Sequence, residues 1–237
     1  MICSLADYKI EYENICKWFE NEFCADYITS GKPDFTLEVT DDDIKYENSL
    51  AEGTFGKHYI ESLAFYRKLA NTLPTKNAFL LHSALFDVEG TGVAFAAHSG
   101  TGKTTHMLLW QKLLGDKMKI INGDKPIIRF FDNEPDTAYG YGTPWNGKEK
   151  YGCNGKTKVK HICFIERADT NSCEKMQDDD LVDRIMNQVY VPRTPLGAMA
   201  AMQLVDRFLK SCEIWKIKCN MDISAAETAY NTIFKKK

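Results

Sequence analysis

Apolar positions in the first third of the chain recur in short patterns of two kinds. Alternation within residues 1–13 and over Asp34–Val39 predicts strands, and the spacing in Ile15–Phe23 predicts a short amphipathic helix. A longer helical pattern covers His58–Leu73. Pro74 follows it, and because proline cannot continue a helix we expect the helix to end there.

The pattern changes after residue 76, where longer apolar runs replace the short ones. One run covers residues 78–88, a buried strand is expected over Val93–Ala97, and a helix is expected over His106–Leu114. Further strands are expected over Lys119–Gly123 and Pro126–Phe131. Because strand, loop, helix and strand follow in this order, the sequence predicts a nucleotide-binding α/β core.

The last third alternates between loop-rich and regular segments. Its glycines and prolines predict an irregular stretch over Asn133–Gly155, and a strand pattern follows over Val159–Glu166. Thr194 and Pro195 have the residue types of a helix N-cap and first helical position. The remaining patterns are a helix within residues 179–190, a strand over residues 214–220 and a last helix opened by a capping box of Ser224 and Glu227.

Together these elements predict an α/β fold that leans towards α+β, with a mixed sheet flanked by helices. We expect residues 1–75 to form a small N-terminal accessory region and residues 76–237 to form the main domain. No internal repeat and no Pro/Ser-rich linker separates the two parts, so the boundary near residue 75 is soft.

The charge balance and the cysteine spacing exclude several classes of protein. The 237 residues include 30 Lys+Arg and 33 Asp+Glu, a net charge of −3, which does not favour a nucleic-acid binder. The eight cysteines form no Cys-x-x-Cys pair and no zinc-finger spacing, and we interpret them as reduced thiols. Without a signal-peptide pattern or an apolar run of ~18 residues, the chain is expected to be cytoplasmic and free of membrane segments.

The strongest chemical signal is the run SGTGKTT, Ser99–Thr105, between a predicted strand and a predicted helix. Its glycines let backbone N–H groups converge on a phosphate chain, and the helix N-terminus adds partial positive charge. The Lys103 ammonium suits the β- and γ-phosphates, and the Thr104 hydroxyl suits magnesium. The predicted nucleotide-binding residues are His98, Ser99, Gly100, Thr101, Gly102, Lys103, Thr104 and Thr105.

One position departs from the Walker A pattern. That pattern has a glycine five residues before its last glycine, and this chain has Ala97 there. Alanine still permits a tight turn, and the flanking strand and helix provide the context that the motif requires. The alternative interpretation is a glycine-rich turn without a ligand.

A carboxylate follows the next predicted strand. Asp124 stands at the end of the Lys119–Gly123 segment, from which it can reach a magnesium ion held by Thr104. The alternative is a turn aspartate that caps the strand end. We also expect a local group of lysines to face a polyanionic nucleotide, namely Lys103, Lys125, Lys148, Lys156 and Lys158.

The segment Phe79–Asp124, with SGTGKTT and its flanking apolar strands, resembles the core of HPr kinase/phosphorylase and, more broadly, the PEP-carboxykinase-like nucleotide-binding fold. The rest of the C-terminal half resembles it more loosely. In HPr kinases an active-site histidine stands before the loop in a His-x-x-x-hydrophobic-Asp setting, which His82 and Asp87 match. The resemblance implies an active-site role for His82, which from the residues alone is equally a core histidine.

Two further features bear on this resemblance. The family has two adjacent aspartates, one towards the substrate hydroxyl and one towards the metal, where this chain has Gly123-Asp124. Asp124 alone serves less well in both roles, since coordination lowers its basicity. Small HPr-kinase-like proteins carry a Pro-Trp-x-Gly-Lys segment, which residues 144–148 match. This match implies that Lys148 neutralises phosphate charge, and the alternative is an exposed turn.

Three functions are consistent with these residues. The first is an enzyme, a small kinase that uses Mg²⁺ and transfers the γ-phosphoryl of ATP (or GTP) to the hydroxyl of a protein serine, a peptide or a small molecule. Its catalytic residues would be His82, Lys103, Asp124 and Lys148. The second is a non-catalytic nucleotide-dependent binding module, which the missing aspartate favours, and the third is PEP-carboxykinase chemistry. The resemblance also implies a homo-oligomer.

Overall fold

The computed structural model describes residues 1–176 and 181–235, which form twelve strands and six α-helices. The strands are β1 (Ile2–Leu5), β2 (Tyr8–Tyr12), β3 (Phe35–Leu37), β4 (Ala78–Leu80), β5 (Ser83–Val88), β6 (Thr91–Ala96), β7 (Met118–Asn122), β8 (Ile127–Phe131), β9 (Glu134–Tyr141), β10 (Lys156–Arg167), β11 (Ser172–Lys175) and β12 (Glu213–Cys219). The helices are α1 (Asp41–Leu50), α2 (Lys57–Thr72), α3 (Lys103–Leu114), α4 (Leu181–Met186), α5 (Pro195–Ser211) and α6 (Ile223–Phe234).

Nine of the strands form one mixed sheet and the other three form a small one. The main sheet has the order β4-β8-β9-β10-β6-β5-β7, with β12 beside β10 and β11 beside β12. Strands β6 and β12 are parallel to β10, and the other pairs in this sheet are antiparallel. This architecture confirms the predicted α/β class with a mixed sheet flanked by helices.

Side chains of β6 alternate between two hydrophobic cores. Ala94 and Ala96 lie in the core that contains Phe208 of α5, whereas Phe95 packs against Trp110 of α3. Successive side chains of a strand face opposite sides of its sheet. The apolar run at β6 is therefore continuous because helices cover both faces of the sheet.

The small sheet β1-β2-β3 packs with α2 at one end of the main sheet. The hydrophobic cluster of this layer also contains Leu80 of β4 and Ile127 of β8. The Tyr12 hydroxyl of β2 donates a hydrogen bond to the buried Glu61 carboxylate of α2, at 2.7 Å. Residues 1–75 and 76–237 thus share a hydrophobic core, and their division into region and domain stays a prediction.

Several predicted elements are confirmed with small shifts of their ends. The helix expected over His58–Leu73 is α2, and the helix expected from His106 begins three residues earlier as α3. The predicted N-cap of α5 is also confirmed, because the Thr194 hydroxyl accepts from the Gly197 N–H at 3.3 Å. None of the helices within residues 1–176 and 181–235 combines the length and apolarity needed to cross a membrane.

Other expectations were wrong or only partly right. Strand β9 lies inside Asn133–Gly155, the stretch expected to be irregular, and α1 and β11 were not predicted. Of the helix expected over Ile15–Phe23, residues 17–18 are α-helical and Phe19–Phe23 form a π-helical turn. The last helix has Asp222 rather than Ser224 at its N-cap, so the predicted capping box is absent. Of the helix expected within residues 179–190, residues 179 and 180 lie outside the described residues, and α4 covers Leu181–Met186.

Candidate functional site

The ends of β6, β7, β10 and β12 and the residue before β5 meet at one edge of the main sheet. Strand β6 ends at this edge, as do β10 and β12, because both run in the direction of β6. Strand β7 has the same direction, since β6 and β7 are both antiparallel to β5. The edge therefore gathers the loop after β6, the chain after β7 and His82, the residue before β5. Ligands of α/β sheets bind at such carboxyl edges.

The loop after β6 spans residues 97–102 and leads directly into α3; it is called the P-loop below. Gly100 (φ +77°) and Gly102 (φ +119°) adopt left-handed backbone conformations, and a Cβ at either would meet no atom within 4 Å. Gly102 is the N-cap of α3, and no side chain caps the first N–H groups of the helix. These open N–H groups and the positive end of the helix favour an anion.

Ala97 fits the P-loop without strain. It is buried, and it is not among the residues with positive φ. Its carbonyl accepts a hydrogen bond from the Lys103 ammonium at 2.9 Å. Because this position needs no left-handed backbone, alanine can replace the glycine of the Walker A pattern here.

A compact network of charged side chains stands beside the P-loop. His82 Nε2 lies 3.2 Å from Lys103 Nζ and 3.2 Å from a carboxylate oxygen of Asp124. The Lys125 ammonium donates to the same Asp124 oxygen at 3.2 Å. A single imidazole nitrogen can donate to the carboxylate or accept from the ammonium, but it cannot do both at once. Occupancy of Lys103 by another partner would therefore leave His82 to pair with Asp124.

The charges of this network shift two pKa values. Burial alone raises the pKa of Asp124, but the hydrogen bond from His82 and the charge of Lys125 outweigh it and hold the pKa below its ordinary value. Burial lowers the pKa of Lys103, and Lys125 adds to this effect while Asp124 opposes it. Asp124 is consequently a stable carboxylate at neutral pH, beside a cation whose desolvation a polyanion would relieve.

The loop over residues 143–150 forms the opposite wall. The Asn122 amide donates to the Thr143 hydroxyl at 3.0 Å, and the Lys125 N–H donates to the Trp145 carbonyl at 3.1 Å. The Trp145 ring stacks on Phe65 of α2 with centroids 6.0 Å apart, and its N–H donates to the Ser62 carbonyl at 3.3 Å. The loop that carries Lys148 is thereby held to the end of β7 on one side and to α2 on the other.

A cavity of about 390 Å³ lies between the two loops and is called the phosphate cavity below. Of the site residues that the sequence predicts, the cavity brings together His82, Ser99, Gly100, Gly102, Lys103, Thr104, Thr105, Asp124 and Lys148. His98 and Thr101 lie outside it and line a neighbouring cavity of about 620 Å³. The geometry agrees with the predicted grouping, and the role of each residue stays a prediction.

Gly123 explains why only one aspartate stands here. A Cβ at this position would lie 2.7 Å from the Asn146 carbonyl oxygen and 3.1 Å from the Tyr151 carbonyl oxygen. The Gly123 N–H donates to that Tyr151 carbonyl at 2.8 Å. The backbone of the second loop thus fills the space that a second carboxylate would need.

Two members of the predicted lysine group lie elsewhere. Lys156 and Lys158 are in the first residues of β10, whose last residue, Arg167, is at the P-loop edge. Lys156 pairs with Asp7 at 2.8 Å and Lys158 pairs with Glu134 at 3.2 Å. The prediction that they join Lys103, Lys125 and Lys148 is wrong, because the twelve-residue strand separates them.

The donor set at the phosphate cavity fits magnesium only together with a phosphate ligand. Within the two described ranges, no group of three or more His, Cys, Asp or Glu side chains is arranged to hold a metal. Asp124 and Thr104 both line the cavity and provide one carboxylate and one hydroxyl. Magnesium commonly keeps several waters and binds through one or two protein oxygens plus substrate phosphates, and Asp124 and Thr104 can supply the protein oxygens.

Arg167 belongs to the site but was not predicted. Its guanidinium donates to the Thr101 carbonyl at 3.1 Å and to the Gly100 carbonyl. Through these two bonds the end of β10 holds the crest of the P-loop. The sequence signal was its position just after an apolar strand segment, next to Glu166, and such a charged residue is common at strand ends.

Comparisons with known proteins add little to this geometry. No protein-family model and no curated protein matches the chain. Among solved structures, the chain is similar to the Hpr(Ser) kinase/phosphatase from Coxiella burnetii, with a TM-score of 0.30 and 10% sequence identity over 55% of this chain and 91% of that chain. This similarity is distant and assigns no role to any residue described above.

Proposed function

We propose that the protein is a small nucleotide-dependent kinase that transfers the γ-phosphoryl group of ATP to a hydroxyl. The observation that carries the proposal is the meeting of Lys103, His82 and Asp124 in one cavity, between an open P-loop and the loop that bears Lys148. Phosphoryl transfer needs positioning and charge stabilisation more than covalent chemistry by the protein. Those are the tasks that this set of groups can perform.

Phosphate binding rests on the P-loop and two lysines. The N–H groups at the start of α3 face the cavity without a side-chain cap, and Lys103 stands among them. A phosphate oxygen offers the Lys103 ammonium a charged partner in place of the Ala97 carbonyl and the His82 ring nitrogen. Lys148, from the opposite wall, neutralises charge that builds up on the transferring group.

Thr104 and Asp124 would hold magnesium against the nucleotide. When bound, the ion withdraws charge from the β- and γ-phosphates, which favours departure of the diphosphate. Asp124 serves this purpose as a carboxylate, since its pKa is held below the ordinary value by His82 and Lys125 against the opposing effect of burial.

His82 takes the proton of the acceptor hydroxyl in this scheme. Its Nε2 atom lies 3.2 Å from the Asp124 carboxylate, which orients the ring and leaves Nδ1 as the atom that takes the proton. A bond forms between the acceptor oxygen and the γ-phosphorus while the bond from that phosphorus to the β–γ bridging oxygen breaks. The nucleoside diphosphate leaves and the hydroxyl proton passes to His82. This division of roles requires one aspartate instead of two.

The second candidate is a nucleotide-dependent binding module without catalysis. It is favoured by the single carboxylate and by the absence of space for a side chain at Gly123. A binding module and a kinase share the phosphate cavity, so nucleotide affinity does not distinguish them. Turnover does.

The test is ADP formation from γ-labelled ATP and Mg²⁺, alone and with an extract as the source of acceptor. We expect slow ADP formation alone, transfer of label in the extract, and loss of both in Lys103→Ala. The matched control is Lys112→Ala, which removes an exposed lysine from the last turn of the same helix and should retain full turnover. Tight ATP binding without ADP or labelled product would instead support the binding module.

A further inference from the structure

A second cavity, of about 610 Å³, lies on the other side of the P-loop from Asp124. It shares Gly100, Gly102 and Thr105 with the phosphate cavity. Its far wall comes from the chain that follows β10 and β12 at the same sheet edge. A ligand that extends beyond the phosphates across these shared residues therefore enters this second cavity, called the β10–β12 cavity below.

Most polar groups in the wall of the β10–β12 cavity are already paired with one another. The Asn220 amide nitrogen donates to the Asp169 carbonyl at 3.2 Å, and its amide oxygen accepts from the Asp222 N–H at 3.0 Å. The Arg167 guanidinium is engaged by the P-loop carbonyls. Groups that are occupied in this way do not read the donor and acceptor pattern of a ligand, because reading it would break existing bonds.

Two groups of this wall remain available. The Asp169 carboxylate is exposed, and within residues 1–176 and 181–235 it makes neither a hydrogen bond nor an ion pair. Met221 is 76% exposed beside it. A carboxylate accepts hydrogen bonds from hydroxyl groups, and a flexible, polarisable thioether packs against aromatic rings without a strict geometry. A ligand with vicinal hydroxyls and a flat aromatic ring matches this pair.

We infer that the β10–β12 cavity binds the ribonucleoside part of the nucleotide, with Asp169 accepting the ribose hydroxyls and Met221 covering the base. The inference rests on the proposed nucleotide binding at the P-loop and extends it. Because the wall around Met221 offers stacking but few free groups to read the base edge, purine identity contributes little to affinity. ATP and GTP should bind within about threefold of each other, whereas an analogue without the ribose 2′-hydroxyl should bind more weakly.

The experiment is calorimetric titration with Mg²⁺ complexes of ATP, GTP, 2′-deoxy-ATP and inorganic triphosphate. We expect Asp169→Ala to lower the affinity for ATP and for GTP by about tenfold and to leave the affinity for triphosphate unchanged or slightly higher. The variant should also lose most of the difference in affinity between ATP and 2′-deoxy-ATP. Met221→Ala should lower the affinities for ATP and GTP by the same factor of about three to five. The matched controls are Asp116→Ala and Met199→Ala, which truncate exposed side chains away from this cavity and should change nothing.

The outcomes separate this inference from the proposed function. If triphosphate binds in the wild type but Asp169→Ala affects ATP no more than Asp116→Ala does, the ribonucleoside site is overturned while the phosphate site stands. A preference above tenfold between ATP and GTP overturns the claim of base indifference. If neither triphosphate nor ATP binds at millimolar concentration, the proposed nucleotide function itself fails.

Discussion

Glycines of the P-loop and glycines that flank the second loop serve opposite purposes. In the P-loop, Gly100 and Gly102 have left-handed backbones and open space where a side chain would be. Gly147 in the second loop is also left-handed and uncrowded, but the glycines packed against this loop are crowded, since a Cβ at Gly123 would lie 2.7 Å from the Asn146 carbonyl oxygen and one at Gly142 would lie 1.9 Å from the Cys153 carbonyl oxygen. One loop leaves space for a ligand, and the other packs backbone against backbone to support Lys148.

The supports of the two loops also differ. The crest of the P-loop is held by one exposed arginine through two carbonyls. The second loop is held by buried hydrogen bonds at Asn122 and by the stacking of Trp145 on α2. We infer that changes in the second loop lower stability first, whereas changes in the P-loop lower ligand affinity first.

The largest expected effect is at Gly123. Gly123→Asp should lower the free energy of unfolding by about 4 kcal/mol or more, because it forces a charged side chain into space occupied by the backbone of the second loop. Gly123→Ala should cost about 2–3 kcal/mol for the same steric reason. Denaturant unfolding followed by circular dichroism measures both.

Gly100→Ala is the matched control for this prediction. Its cost should be only about 1 kcal/mol, from the left-handed backbone, but it should weaken nucleotide binding by at least about tenfold, because the methyl group projects into the path of the phosphates. Equal stability losses at Gly100 and Gly123 would contradict the contrast between the two loops.

Acid should lower the free energy of unfolding through a buried histidine in α3, the helix that follows the P-loop. His106 of α3 is 2% exposed, and burial lowers its pKa to about 4, so the folded chain holds it neutral. The unfolded chain binds the proton more readily, since a free imidazole has a pKa near ~6.5. Stability should be complete above that value and fall by about 1.5 kcal/mol between pH 6.5 and 5.

The measurement is the free energy of unfolding across this pH range in the wild type and in His106→Phe. The variant should lose most of the slope, whatever its stability at pH 7. A slope that persists in the variant would show that another group is responsible.

A smaller effect is expected when the P-loop crest is released. Arg167→Ala should weaken ATP binding by about tenfold with little change in stability, because the loop must then be ordered by the ligand itself. Arg207→Ala is the matched control, since Arg207 also donates to two backbone carbonyls, Pro135 at 2.5 Å and Phe131 at 3.5 Å, but away from the site. Similar ATP affinities in the two variants would show that Arg167 does not order the P-loop for ATP binding.

The smallest effect is expected at Trp145. Trp145→Phe keeps a ring against Phe65 but loses the hydrogen bond to the Ser62 carbonyl, which should cost about 1 kcal/mol of stability. The control Trp215→Phe loses a comparable bond to His161 at 3.2 Å. Calorimetric titration should show a two- to threefold lower affinity for ATP in Trp145→Phe and no change in Trp215→Phe. No difference between the variants would mean that α2 does not position the second loop.

Many strands and helices could be predicted because their sequence signals are local. The apolar run at β6, the helical spacing of α2 and the residue types at Thr194–Pro195 depend on neighbours in the chain, and all three were confirmed. Strand β9 was missed because Glu134, Pro135 and Asp136 begin it, and those residues are typical of loops. Its strand pairing with β8 and β10 provides the order that its own sequence does not indicate.

The candidate site divides in the same way. The loop of residues 97–102 lies between a strand and a helix, as its contiguous motif predicts, and its phosphate binding stays a prediction. The crowding at Gly123 arises from residues 146–151, more than twenty positions later, and the support by Arg167 arises from a strand that is adjacent only in the fold. Neither contact leaves a pattern in the residues around it. The sequence presents Gly123 as a missing aspartate, whereas the structure shows that a side chain there would meet the backbone of Asn146 and Tyr151.

The most direct test of the account is a crystal structure with a non-hydrolysable ATP analogue and Mg²⁺. We expect the triphosphate to lie over the P-loop N–H groups, with its γ-phosphate between Lys103, Lys148 and His82 and the ion facing Thr104 and Asp124. The ribose should lie beside Asp169. A nucleotide bound away from the P-loop, or a γ-phosphate distant from both His82 and Asp124, would contradict the central claim that these two loops form a phosphoryl-transfer site.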